Sequence, residues 1–334
     1  ADAIGRKPTA MLGWAIFLLG TVMAVAGGSA FWMLAGRFLQ GFGAGAPRVV
    51  GTTIARDLYG GRPLARVLSL VMTVFMAVPI IAPLAGQGIM AAAGWEAIFG
   101  LYFLLAVISG GWYLLGVPET LAPEHRRPLR LGQMLSAYAE VLTTRQTLGC
   151  ALATALVFGP FVVYLATAQQ VLEELYQLGP LFPLAFSSVA VAFAAATFLN
   201  AQIVMRVGMR RAAVAGFAII IAVSSAVALG MLSGLISPVP PIWAYLGLIC
   251  AIFMAVAILM TNLTALALDP MGHLSGTASA VINATSALGS SLIGLVIAQL
   301  YDGTLLPMFL GFSVLGLSGF ALCLWATARS EAHG

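Results

Sequence analysis

Apolar runs of about twenty residues recur down the chain, each closed by glycine, proline or a charged residue, which is the length a helix needs to cross a bilayer. The pattern predicts ten membrane-spanning helices: Thr9 to Ala26, Phe31 to Ile54, Val67 to Ala93, Ala97 to Val117, Leu148 to Leu172, Leu181 to Val204, Ala212 to Leu235, Ile242 to Leu268, Gly276 to Gln299 and Leu305 to Ala328. A β-barrel is excluded, because its strands would show alternating segments only about ten residues long. Between the fourth and fifth runs lies a longer polar stretch. The predicted organisation is therefore a four-helix bundle over residues 1–117, a cytoplasmic linker over 118–147 and a six-helix bundle over 148–334.

Composition agrees with this all-helical, polytopic reading, since 61% of residues are apolar and 8% charged, against roughly 25% charged in a soluble domain. The placement of charge then sets the orientation. Arg6, Lys7, Arg56, Arg62, Arg66, Arg126, Arg127, Arg130, Arg145, Arg206, Arg210, Arg211 and Arg329 all fall on one side of the predicted membrane. By the positive-inside rule that side, with both termini, is cytoplasmic. Glu96, Glu173, Glu174 and Asp302 map to the outer side and the other seven carboxylates to inner loops, linker or tail, so none sits at hydrocarbon depth. Cys150, Cys250 and Cys323 lie singly in separate apolar runs, and the three histidines form no cluster, so no disulfide, metal site or cofactor is expected.

Two cations remain, both inside the second predicted helix. Eleven residues at about 100° each bring Arg48 back to within about 20° of Arg37, with Gln40, Gly41 and Ala44 near the same stripe. A guanidinium at membrane depth usually faces a bundle interior or a watery cavity. The competing reading is that each arginine lies close enough to a helix end to reach a membrane surface and anchor the helix.

These residues also carry a resemblance. Arg37, Gln40, Gly41 and Gly43 fit the R-x-x-Q-G-x-G signature of the fourth helix in the major facilitator superfamily. The continuation VVGTTIARDLYGGRPLARVLSLVMTV resembles drug/proton antiporters of the Bcr/CflA (bicyclomycin/chloramphenicol resistance) type. The opening ADAIGRK, with Asp2, Gly5, Arg6 and Lys7, is similar to the back half of the superfamily's loop between its second and third helices. The resemblance gives those four residues the role of a cytoplasmic gate. VPIIAPLAGQ, containing Pro79, Pro83 and Gly86, is similar to the antiporter signature G-x-x-x-G-P-x-x-G-G, departing from it at Val78, Ala82 and Gln87. A bent helix lined by small residues is what that signature supplies, and an ordinary proline kink is the plainer alternative. GWEAIF (Gly94 to Phe99) resembles the family's GWRAIF with Glu96 in place of arginine, and PETL (Pro118 to Leu121) closes the first bundle as in the family.

What the resemblance implies is a secondary transporter with the superfamily's two-bundle fold, holding helices 3 to 12 of twelve. It would export small hydrophobic or amphipathic compounds by proton antiport from a bacterial-type inner membrane, acting as a monomer with no nucleic-acid partner. Because the recognisable loop starts partway through at Ala1, two further helices are expected upstream, and the family's proton-carrying aspartate with them. Candidates for the substrate cavity in the second half are Phe158, Phe161, Tyr164 and Gln169 in the fifth run, Asn262 and Thr264 in the eighth, and Asn283 in the ninth, joining Arg37, Gln40 and Arg48. Aromatic rings with a polar handle suit bulky amphipathic molecules, although such a phenylalanine can equally face lipid and such an asparagine can simply bond a neighbouring helix. No nucleophile with its base and no repeated filter element is visible, which argues against an intramembrane enzyme and a channel. A metabolite symporter and a non-transporting receptor or scaffold on the same fold are the alternatives.

Overall fold

The structure, a computed structural model, describes residues 3–59, 61–121 and 131–328, and within the described residues it is helical throughout, with no strand. The chain divides into two compact units, residues 1–130 and 131–334. The first holds α1 (Arg6–Ala26), α2 (Ala30–Leu58), α3 (Gly61–Ala93) and α4 (Glu96–Gly116). The second holds α5 (Leu131–Thr143), α6 (Arg145–Gln169), α7 (Phe182–Val207), α8 (Met209–Leu232), α9 (Ile242–Leu268), α10 (Ser275–Gln299) and α11 (Leu306–Thr327).

Among the described residues, eight helices are long and apolar enough to cross a membrane: α1, α4 and α6 to α11, making this a multi-pass membrane protein. The other two long helices differ in kind. α2 spans 29 residues but carries Arg37, Arg48, Arg56 and Asp57, and α3 spans 33 residues with a shorter apolar stretch at Ile81–Ala93. The polar linker is itself partly helical, since α5 occupies Leu131–Thr143 and places Val141 in an apolar cluster with Cys150, Ala151 and Ile282.

In the first unit the pairing of α1 with α2 is made by glycine. A Cβ on Gly20 would lie 2.6 Å from the Gly36 carbonyl, and one on Gly43 would lie 2.6 Å from the Gly13 carbonyl. Residues spaced by seven on each helix thus remove the side chains that would hold the backbones apart, the usual device where lipid offers no hydrophobic drive for helix pairing. Pro47 contributes as well. Lacking an N–H, it cannot bond the Gly43 carbonyl one turn earlier, and that carbonyl sits instead against Gly13, where a Cβ would be 2.7 Å away. A small apolar core of Ala10, Val50 and Ile54, flanked by Trp14, Tyr113 and Val117, closes the unit at the end nearer the start of α1.

The second unit has a larger core, built on Phe217, Ile220, Phe253, Leu259, Phe309 and Phe312, all essentially inaccessible. α7 turns into α8 through Gly208 alone, at φ 82°, a left-handed conformation that a residue with a Cβ adopts only under strain. α6 does not end as a regular helix. Its last turn widens into a π-helix over Gln170–Leu175, where the Tyr176 N–H reaches the Val171 carbonyl at 3.0 Å. The α6–α7 connection is tied to the α8–α9 connection by Tyr176, whose hydroxyl donates to the Pro240 carbonyl at 2.7 Å. Burial, reinforced by neighbouring Tyr301, pushes the Tyr176 phenol up to about 12, so it stays a donor across the physiological range.

Candidate functional site

Three groups of sequence-predicted residues are placed by the structure, two in the first unit and one in the second. At the start of α1, Gly5 takes φ 104° and turns the chain so that the first amides of the helix face Glu119. One carboxylate oxygen of Glu119 accepts from the Arg6 N–H at 2.9 Å and the Leu121 N–H at 3.0 Å, and the other from the Lys7 N–H at 3.1 Å. The negative charge thus satisfies amides that the helix itself leaves orphaned, at the positive end of its dipole. Arg6 Nε donates to Asp57 Oδ2 at 3.3 Å, and the Thr120 hydroxyl donates to the same oxygen at 3.0 Å. Glycine suits the position before this helix, because φ 104° is strained for any residue with a Cβ, which would also press on Glu119 Oε2 at 2.5 Å. Asp2, the fourth residue of the expected gate, lies outside the described residues, as do Arg126, Arg127, Arg130 and Arg329 of the predicted charge pattern.

The second group lies on α2. Arg37 Nη1 reaches Gln40 Oε1 at 3.4 Å, and the Gln40 amide donates to the Thr21 hydroxyl of α1 at 2.8 Å, which donates in turn to the Phe17 carbonyl at 2.8 Å. Gln40 is buried at the α1–α2 seam, while Arg37 is exposed and sets its guanidinium over two rings of α4, 4.7 Å from the Phe99 centroid and 5.9 Å from that of Tyr102. A cation over aromatic faces is held electrostatically without losing its charge. Arg48 is exposed, about 16 Å further along the same helix at 1.5 Å per residue. The two signature glycines divide in role: Gly43 presses on α1, whereas Gly41 faces open space. On α3, Gly86 is also open on its Cβ side and Pro83 is half-buried within a continuous helix; the Pro79 side chain lies outside the described residues.

In the second unit, Phe158 and Phe161 stack with centroids 4.7 Å apart near the middle of α6, both half-buried. Phe161 leans on Phe253 of α9 at 5.8 Å and Phe193 of α7 at 6.3 Å, and Tyr164 meets the edge of Phe253 at 5.2 Å and Phe186 at 5.3 Å. The ring cluster therefore joins three helices, while Gly159 and Pro160 between the two phenylalanines are buried, with Leu315 of α11 2.6 Å from where a Gly159 Cβ would stand. The Tyr164 hydroxyl is buried with no hydrogen-bond partner among the described residues. Asn262 is fully buried on α9 and donates to Asn200 Oδ1 of α7 at 2.8 Å and to the Ile258 carbonyl at 2.8 Å. Gln169 at the end of α6 and Asn283 on α10 are exposed, and Thr264 is half-buried.

Several of these partners were not legible from sequence. Glu119 is 113 residues from Arg6, Asn200 is 62 from Asn262, and Thr21 lies 19 before Gln40. The PETL match places Glu119 in a recognisable segment, but nothing in its spacing points to the start of α1.

Comparison with known proteins supplies the context for this geometry. A family description, Major Facilitator Superfamily, matches residues 1–294. The chain is 26% identical over 315 residues to an uncharacterized MFS-type transporter, YdgK, of Bacillus subtilis, covering 92% of this chain and 76% of that protein. It is 27% identical over 324 residues to a bicyclomycin resistance protein homolog of Haemophilus influenzae, with the same coverage of 92% and 76%. Over 145 residues, 43% of this chain and 36% of the relative, it is 36% identical to the multidrug resistance protein MdtL of Salmonella heidelberg.

Proposed function

The chain belongs to the major facilitator superfamily and is a transporter, not an enzyme, and from that premise we propose that it exports small hydrophobic or amphipathic compounds by antiport with protons. The observation that carries this reading is the half-buried Phe158–Phe161 stack with Tyr164 beside it, near the middle of α6. Superfamily members hold substrate near the bilayer midplane, and flat apolar surface with one phenol binds such molecules by stacking and shape more than by a fixed set of hydrogen bonds. The names of the relatives, bicyclomycin and multidrug resistance, point the same way.

In this reading ten helices cross an inner membrane, α2 and α3 included, with the basic turns on the cytoplasmic side, and the protein works as a monomer. Arg37 supports the coupling site, holding its charge against Phe99 and Tyr102 while Gln40 fixes its helix to α1. Arg48 and Asn283 border the substrate path, and Gln169 lies at its outer end. Arg6, Lys7 and Gly5 form the cytoplasmic gate with Glu119 and Asp57, and Pro79, Pro83 and Gly86 let α3 bend.

The test is uptake of a panel of lipophilic cations and neutral antibiotics into inverted membrane vesicles carrying the protein, expressed from its full reading frame, with and without a proton gradient. Gradient-dependent transport is expected, abolished by an uncoupler and reduced at least tenfold in Arg37→Ala. Arg37→Lys is expected to stay impaired, since an ammonium lacks the planar face that lies over two rings. Equal accumulation across the panel with and without the protein would overturn the export reading. Wild-type transport by both Arg37 variants would leave Arg37 as a helix anchor.

A further inference from the structure

On the side of the second unit that carries Arg206, Arg210 and Arg211, two cavities share a wall. The first, of about 360 Å³, is lined by the α7–α8 turn from Val207 to Arg211, by Gln146 at the start of α6, Leu266 and Asp269 at the end of α9, and Thr327 at the end of α11. The second, of about 420 Å³, runs from the same two arginines along α8 past Val214, Ala215 and Ala218. These three small apolar residues lie one and two turns beyond the arginines on one exposed face. A pocket that carries polar side chains and an apolar trough therefore meet at one pair of guanidinium groups. Two arginines against one carboxylate leave the shared wall net positive, and the first turn of α8 adds the positive end of its dipole.

We propose that this pair of cavities is a binding site for an anionic phospholipid of the cytoplasmic leaflet, with its phosphate on Arg210 and Arg211 and one acyl chain in the Val214–Ala215–Ala218 trough. The commitment to a lipid over a free anion comes from the trough, because an inorganic phosphate has nothing to place there. Position supports it: the arginines begin a membrane-crossing helix, at the depth where headgroups lie, and basic pockets between helices on the cytoplasmic side suit such headgroups. Gln146 and Thr327 offer polar groups for the glycerol end, while Asp269 disfavours lipids with a second negative charge on the headgroup. The proposal rests on the reading that these helices cross the membrane with this end inward, and not on the identity of the exported compound.

The experiment is native mass spectrometry of the full chain released from micelles doped with dioleoyl-phosphatidylglycerol or dioleoyl-phosphatidylcholine. Preferential retention of one phosphatidylglycerol is expected, weakened about fivefold by Arg211→Gln and further by Arg210→Gln, as loss of one basic contact at a membrane surface predicts. Arg211→Lys should retain most of the preference, which separates loss of charge from loss of fold. Val214→Trp fills the trough and should weaken the diacyl lipid without creating a preference for phosphatidylcholine. Equal retention of the two lipids, or an unchanged preference in Arg211→Gln and Val214→Trp, would overturn the proposal. Displacement of the lipid by millimolar inorganic phosphate would reassign the pocket to a free anion. Vesicle uptake measured on the same variants keeps the two readings apart: transport without lipid preference sinks this proposal alone.

Discussion

Replacing Glu119 by glutamine tests whether a carboxylate 113 residues away holds the start of α1. In the native chain its two oxygens accept three backbone N–H groups, those of Arg6, Lys7 and Leu121, at 2.9 to 3.1 Å. Glutamine keeps one acceptor oxygen and turns its NH₂ toward an amide that is itself a donor. One charge-assisted bond is lost, worth roughly 1.5–3 kcal/mol, together with a dipole contribution of about 0.3–1 kcal/mol. Part of this is recovered by water, since the site is only partly buried, leaving about 2–3 kcal/mol of local stability. That converts to roughly 30- to 150-fold faster exchange of the Arg6 and Lys7 amides, at tenfold per 1.4 kcal/mol. Hydrogen exchange of the peptide covering residues 3–12, read against a control peptide from α11, measures it directly. Arg6→Gln should do much less, because Asp57 is about a third exposed and its ion pair is correspondingly screened. If Glu119→Gln exchanged within about threefold of wild type, or if Arg6→Gln had the larger effect, the capping argument would fail and the ion pair would be the stronger tie.

Two further expectations separate residues that the sequence treats alike. Gly43→Ala should lower the unfolding temperature in detergent by an amount equivalent to roughly 1–3 kcal/mol, the range for overpacking, because its new methyl would lie 2.5 Å from the Phe17 nitrogen; Gly41→Ala, two residues away in the same signature, meets nothing within 4 Å and should be silent. Asn262→Leu should cost about 1–3 kcal/mol by stranding the buried Asn200 amide, and the double variant Asn200→Leu with Asn262→Leu should recover part of that loss; a double variant as unstable as the sum of the singles would show that the pair is not coupled.

The gross architecture was legible because the bilayer reduces the problem to one repeated signal. An apolar run of helix-crossing length between basic turns leaves few alternatives to a helical bundle, and α1, α4 and α6 to α11 lie where those runs lie. Extents were less legible where polarity rises. α2 continues to Leu58, four residues past the predicted end at Ile54, because a helix satisfies its own backbone bonds and so runs on through the polar Arg56 and Asp57, where the apolar signal stops. The linker was read only as a polar stretch, and Leu131–Thr143 within it is helical, its burial of Val141 resting on neighbours that linear spacing does not reveal.

The site divides along the same line. What the sequence carries is residue type at a local spacing, so it brings Arg37 to Gln40, which are three apart on one helix, and places the rings of Phe158, Phe161 and Tyr164 on one stretch of α6. What it does not carry is the partner on another helix. Gln40 does not reveal Thr21, Asn262 does not reveal Asn200, and the guanidinium of Arg37 does not reveal that it will settle on Phe99 and Tyr102. Nor does the π-helical turn at Gln170–Leu175 follow from any breaker residue, since no glycine or proline lies within it. A widened turn just beyond Tyr164, whose buried hydroxyl lacks a partner among the described residues, joins two departures from regular structure on one helix. The π-helical turn is a departure that local propensity would avoid, and such turns occur often at functional sites. α6 is thus the helix on which the substrate reading stands or falls.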